Sequence, residues 1–225
     1  FVALALLGEP QMIGPLQTLF SVADSLRADT LTFDPKSSDR LFSLLLTDVG
    51  MVRFLPSLVA RVASLAPGVS VRAVPLDSRQ FELKLEAGEA DLALGQVPAG
   101  QPELVHQRLS DEPLVCLVGR GHPAEGAKAV TRQQFLETPP VAIRSAVTME
   151  SRIAKAMGAD YPQRRVVLEV HHFMAMPLVL AQSPLMAVIP QAVARTFEPL
   201  LKLRALPLPY PVEPVHVSQF WHRRS

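Results

Sequence analysis

Phe81-Glu82-Leu83-Lys84-Leu85-Glu86-Ala87-Gly88-Glu89-Ala90-Asp91-Leu92-Ala93-Leu94-Gly95 changes its apolar period halfway along. Phe81 and Leu85 share one face of a short helix over Phe81 to Glu89, which Gly88 brings to an end. Ala90 to Gly95 then reads as a buried strand. A helix that hands over directly to a strand is the repeating piece of an α/β fold. Upstream, Arg40-Leu41-Phe42-Ser43-Leu44-Leu45-Leu46-Thr47 is an almost continuous apolar run, the pattern of a strand covered on both faces. Thr47-Asp48-Val49-Gly50 turns the chain. Leu55, Leu58, Val59 and Val62 recur at helical spacing until Pro67-Gly68, and Val69 to Val74 is the next strand. Strand–helix alternation of this length predicts a parallel sheet with helices on its faces.

Downstream, the same alternation resumes. Val105 to Leu109 and Leu114 to Gly119 are candidate strands around a turn at Ser110-Asp111-Glu112-Pro113. Helices are expected over Thr131–Glu137, with Thr131 as N-cap, and over Thr148–Met157, His172–Gln182 and Gln191–Phe197. Strands are expected over Pro140–Ile143, Arg165–Val170, Leu185–Ile189, Leu201–Leu208 and Val212–Trp221. The four prolines between Leu206 and Pro214 suit an extended crossover. Two α/β units therefore follow one another, split near Gly119-Arg120-Gly121-His122-Pro123. At the start, Met12, Leu16, Leu19, Ala23 and Leu26 step by four and three, a seam on one face of a helix, with a kink expected near Gly14-Pro15. That helix packs on its own domain or pairs with a partner chain, and the spacing alone leaves both open. Leu31 to Asp39 reads as a linker.

Composition narrows the function. The 225 residues carry 22 Lys+Arg against 21 Asp+Glu, a net charge of +1, so the chain has no global electrostatic footprint for nucleic acid. Hydrophobic residues at 48% and a mean hydropathy of +0.22 suit a folded core. A single cysteine, Cys116, excludes an internal disulfide framework and a cysteine-built zinc site, and it suits a reducing compartment. No stretch is apolar for long enough to read as a transmembrane span. The apolar start Phe1 to Gly8 lacks both an initiator Met and a basic leader, so the chain reads as a piece of something longer.

Motifs for catalysis are absent: no Gly-x-Ser-x-Gly elbow, no His-Glu-x-x-His, no phosphate loop and no Gly-x-Gly-x-x-Gly after a strand. The six histidines show no i,i+4 pair, so no metal is expected, and no cofactor. Cys116, in an apolar strand, is expected to be inert. The polar groups that stand out lie at strand ends: Thr47 and Asp48, Gly95, Arg144 and Ser145, and His171, His172 and Phe173. Carboxyl ends of strands, beside helix N-termini, are where α/β sheets bind ligands. A cleft between the two units is the default pocket. Phe220-Trp221-His222 could line a pocket or pack the core.

The ordered pieces resemble the effector-binding part of LysR-type transcriptional regulators. The resemblance is carried by Phe33-Asp34-Pro35, Arg40-Leu41-Phe42-Ser43-Leu44, Phe54-Leu55-Pro56-Ser57-Leu58 and Ala66-Pro67-Gly68-Val69. It is carried further by Leu85 to Gly95, by Leu114 to Val118 followed by Gly121-His122-Pro123, and by Leu185 to Pro190. It covers nearly the whole chain. It implies an α/β fold of two Rossmann-like subdomains joined by two crossovers, like type 2 periplasmic binding proteins, preceded by a linker helix. The expected division is residues 1–32 for the linker and dimerisation helix, 33–118 plus 209–225 for subdomain I, and 119–208 for subdomain II. The crossovers are expected near Val118 and Leu208, and a further helix is expected beyond Ser225.

Within that family, Thr47-Asp48-Val49-Gly50, Val170-His171-His172-Phe173 and Phe220-Trp221-His222 resemble the branch that senses small aromatic acids, salicylate-like or nitroaromatic. The resemblance implies effector contacts from Thr47, Asp48, Gly95, His172, Phe173 and Phe220, and strand-end position adds Arg144, Ser145 and His171 as candidates. Ile143-Arg144-Ser145 departs from members that carry a histidine there, and an inward arginine would favour a carboxylate or nitro group. The implied protein is a cytoplasmic non-enzyme that forms a homodimer or homotetramer. It would meet DNA only through a winged helix-turn-helix, which nothing in this chain resembles. The competing expectation is an extracytoplasmic solute-binding receptor of similar fold, which an export signal would favour.

Overall fold

The computed structural model describes residues 33–96, 102–144 and 149–224. The expected linker helix and Ser145 lie outside the described residues. Two compact units divide the rest. One holds the described residues up to Leu94, then 102–109 and 219–224, and the other holds 95–96 and the described residues of Ser110–Ser218.

The first unit begins with β1 (Leu41–Leu46), α1 (Asp48–Leu65), β2 (Ser70–Pro75), α2 (Phe81–Glu86) and β3 (Leu92–Gly95). Two long strands, β4 (Leu104–Glu112) and β10 (Val215–His222), complete a five-stranded sheet in the order β2-β1-β3-β10-β4. β1 runs parallel to β2 and β3, as the alternation predicts. Leu44, Leu45 and Leu46 are buried on both faces, which explains their unbroken apolar run. α1 sets Phe54, Leu58 and Val62 against the core at every fourth position. Asp91 ties the sheet together by accepting from the Ser43 amide at 2.7 Å and from Arg40 at 2.6 Å. α2 stops at Glu86, short of the expected Glu89. Gly88 follows it with φ +71°, a conformation glycine adopts without steric cost.

The second unit contains β5 (Leu114–Val118), α3 (Arg132–Glu137), β6 (Pro140–Ile143) and α4 (Met149–Met157). A 3-10 turn over Gly158–Gln163 follows, then β7 (Leu168–Val170), α5 (Ala175–Leu180), β8 (Met186–Pro190), α6 (Gln191–Leu201) and β9 (Arg204–Leu206). Its sheet order is β7-β6-β8-β5-β9. β6 is parallel to β7 and β8, whereas β5 is antiparallel to β8 and β9. The sheet is therefore mixed, which strand–helix alternation alone could not reveal. β5, β6 and β8 are buried end to end. Gly119 lies so close to the Leu180 carbonyl that a β-carbon would collide with it. Thr131 caps α3 as expected, in a reciprocal box with Gln134. Cys116 is fully buried, and desolvation pushes its thiol up to about 12, so it carries no thiolate for redox or nucleophilic work.

The chain changes unit between Leu109 and Ser110 inside β4, and again between Ser218 and Gln219 inside β10. β5 belongs to the second unit because β8 and β9 flank it. The expected turn at Ser110–Pro113 is instead the end of β4, since Asp111 and Glu112 find partners further along the chain. Asp111 meets His216 Nδ1 at 2.7 Å. The buried Glu112 carboxylate accepts from the Ala192 amide at 2.6 Å, capping α6 where Pro190 has no side chain able to do so. α6 runs on to Leu201 and closes on Lys202 at φ 56°, which shortens the strand expected from Leu201 to β9.

Candidate functional site

Each sheet gathers part of the expected set at the carboxyl ends of its strands. In the first unit, Leu46 lies opposite Leu94 in the parallel register of β1 and β3. Thr47 follows Leu46 at this strand end, and Gly95 is the last residue of β3. Thr47 is the N-cap of α1, with φ −70° and ψ 161°, and its Oγ1 accepts from the Gly50 amide at 3.1 Å. A hydroxyl that accepts one bond keeps its own proton to donate. Asp48 opens the helix, and its carboxylate accepts from the Val49 amide at 2.9 Å. Both residues are half-buried. A β-carbon on Gly50 would sit 3.3 Å from Thr47 Oγ1 and 3.8 Å from the Leu94 carbonyl, so glycine keeps this corner open. The positive end of an 18-residue helix thus meets a hydroxyl and a carboxylate at one sheet end.

In the second unit, Ile143 lies opposite Val170 in the parallel register of β6 and β7. That pairing sets Arg144 beside His171, and the Arg144 amide donates to the Val170 carbonyl at 2.7 Å. Arg144 Nη1 donates to Glu169 Oε2 at 3.0 Å. His171 and His172 are exposed and Phe173 is half-buried. All three precede α5, which starts at Ala175 rather than at the expected His172. The His172 and Phe173 carbonyls accept from the Ala175 and Met176 amides, so the segment forms the turn into the helix.

Phe220 is 3% exposed. Its ring meets Phe81 edge-on at 5.8 Å and stacks on His106 at 5.8 Å. Of the two expectations for this aromatic, the structure shows packing inside the first unit. Among the described residues, no group of three or more His, Cys, Asp or Glu could hold a metal. An open depression of about 530 Å³ runs along α2, lined by Gln80, Leu83, Lys84, Glu86, Ala87 and Glu89, and includes none of the expected site residues.

Two features went unread in the sequence. Glu169 escaped notice because its contact with Arg144 depends on β6 and β7 being neighbours. The other is the outer face of α1. Val52, Leu55, Val59 and Ala63 step by three, four and four, turned away from the buried Phe54, Leu58 and Val62, and Val59 is 52% exposed. The steps were legible, but only the packing of the opposite face shows that this stripe is left over.

Comparison with known proteins bears on both ends of the argument. A family model described as the LysR substrate binding domain matches residues 38–225. The HTH-type transcriptional activator NagR of a Ralstonia species is 29% identical over 220 residues, covering 97% of this chain and 70% of that protein. The HTH-type transcriptional activator NahR of Pseudomonas putida is 31% identical over 193 residues, 86% of this chain and 64% of that protein. Among solved structures, the regulatory domain of MexT, a transcriptional activator in Pseudomonas aeruginosa, superposes with a TM-score of 0.72 at 19% identity, covering 81% of this chain and 90% of that one. Full-length CbnR complexed with its target DNA gives 0.69 at 14% identity, covering 94% and 72%. At those identities the two structures speak for the fold alone.

Proposed function

The chain belongs to the LysR substrate-binding domain family, and on that premise we propose that it senses a small aromatic acid for a transcriptional regulator. The observation that carries this reading is the pair of parallel registers, Leu46 with Leu94 and Ile143 with Val170. They set Thr47 and Asp48 at the strand ends of one sheet and Arg144 and His171 at those of the other sheet, and Gly95, His172 and Phe173 also belong to the proposed set. Ser145 and Phe220 complete the proposed set, Phe220 acting from behind through its packing on Phe81 and His106. The helix end and the Thr47 hydroxyl suit a carboxylate or nitro oxygen. A guanidinium adds a charge-assisted bond, and imidazole and phenyl groups suit a ring.

Transmission follows from unequal affinity. The ligand shifts the protein between two arrangements only as far as it binds one better than the other. The regulator acts in the cytoplasm as a homodimer or homotetramer and meets DNA through a separate winged helix-turn-helix. The apolar outer stripe of α1 supports a partner chain. The similarity to NagR and NahR, both transcriptional activators, supports the regulatory reading.

Calorimetry against salicylate, benzoate and 2-nitrobenzoate, with succinate as the aliphatic control, tests the reading. Saturable heat from an aromatic acid, weakened in His172→Ala with an unchanged melting temperature, is the expected outcome. Folded protein that gives no heat with any of the three would overturn it.

A further inference from the structure

We propose that Glu169 competes with the effector for Arg144 and so sets how strongly the site prefers a negatively charged ligand. This rests on the reading that an aromatic acid binds at these strand ends. β7 places Glu169 opposite Ala142, one position before the Val170 whose carbonyl takes the Arg144 amide at 2.7 Å. The backbone of residue 144 is thereby fixed, and its side chain reaches the Glu169 carboxylate at 3.0 Å. Both side chains stay open to solution, at 72% and 53% exposed.

That contact is single, one N–H on one oxygen. Guanidinium presents five donors in a planar fork, and a carboxylate arriving side-on takes two parallel bonds. An incoming aromatic carboxylate therefore gains a hydrogen bond that Glu169 does not supply. It also meets a cost. With Glu169 in place the pair is neutral and an anion is drawn in weakly. Once the glutamate charge is removed, Arg144 stands alone as a cation. An uncharged ring of the same shape feels neither term. Glu169 thus lowers affinity for acids without lowering affinity for neutral analogues, and the site tolerates a wider range of effectors than a bare arginine would.

The effect is modest because both groups are exposed. An ion pair of this kind corresponds to roughly two- to fivefold in affinity and shrinks with added salt. The test is calorimetry on wild type, Glu169→Gln, Arg144→Met and the double variant, with salicylate and its neutral isostere salicylamide. Glu169→Gln is expected to tighten salicylate by about two- to fivefold at low salt, to leave salicylamide unchanged, and to lose this effect when Arg144 is Met. Equal shifts for both ligands, or no shift for salicylate, would overturn the role given to Glu169 while leaving the effector reading in place. Wild-type protein that binds neither compound nor any other aromatic acid would overturn both. Melting curves show whether each variant is folded before any affinity is compared.

Discussion

Thr47 and Arg144 each follow the last residue of an inner parallel strand, yet they are held very differently. Thr47 is locked into the first turn of an 18-residue helix, with its hydroxyl on the Gly50 amide and its carbonyl on the Met51 amide. Arg144 has a fixed backbone and an exposed side chain that pairs with an exposed glutamate. The first strand end is a rigid, backbone-built corner and the second a charged, solvent-facing one. Shape discrimination is therefore expected from the first unit and charge discrimination from the second. Five changes probe that contrast, the first three in order of falling effect and the last two as a pair.

Leu46→Ala removes a fully buried side chain directly beneath Thr47. A cavity of this kind costs about 2–5 kcal/mol, and chemical denaturation should show a loss in that range. A loss below about 1 kcal/mol would mean that the corner does not depend on the strand under it.

Glu112→Gln does the matching experiment in the second unit, far from Arg144 in sequence. The buried carboxylate holds the Ala192 amide at the start of α6, and an amide side chain keeps one acceptor but loses the charge facing the helix end. A loss of about 1–2 kcal/mol in urea denaturation is expected. Salicylate affinity should stay put, because the contact touches neither strand end. A large affinity change without a stability change would contradict this separation.

His122 gives the second unit an acid response. Its Nδ1 accepts from the Ala124 amide at 2.9 Å, its Nε2 is buried without a partner, and desolvation holds its pKa below the ordinary histidine value. A depressed histidine pKa means that the unfolded chain binds the proton more readily. The stability it contributes is complete above the unfolded pKa and is lost as pH falls below it. His122→Asn keeps an acceptor for the amide two residues on. The variant's melting temperature should therefore fall less than wild type's between pH 7 and pH 5. Parallel curves would show that His122 takes up its proton equally in the folded and unfolded chain, so that burial does not depress it.

The elements that could be read in advance were those whose pattern is local. β6 needed only the apolar run Pro140–Ile143, and α3 needed only Thr131 as its N-cap. What could not be read was set by neighbours distant in sequence. β4 runs through an apparent turn because Asp111 and Glu112 find His216 and Ala192 far along the chain. β7 keeps only Leu168–Val170 of an apolar stretch, since Val166 and Val167 are exposed. β5 is antiparallel, a direction that leaves no trace in periodicity. The candidate site divides the same way. Strand-end position picked out Thr47, Arg144 and His171, but it took the β6–β7 register to supply Glu169, and burial to move Phe220 into the packing behind.

Arg144→Ala carries the smallest stability change and the clearest contrast with Thr47. The guanidinium is exposed, its ion pair is worth at most about 1 kcal/mol, and the backbone bond from residue 144 to Val170 needs no side chain. The melting temperature should therefore stay within experimental scatter. Thr47→Ala removes a helix cap and should cost about 1 kcal/mol. Ligand panels separate the two further. Arg144→Ala should weaken salicylate and spare salicylamide, whereas Thr47→Ala should weaken both, because a misplaced helix end changes the shape of the corner for any ring. If Arg144→Ala weakened both ligands equally, the arginine would be acting through packing. The division of labour between a rigid corner and a charged one would then have to be abandoned.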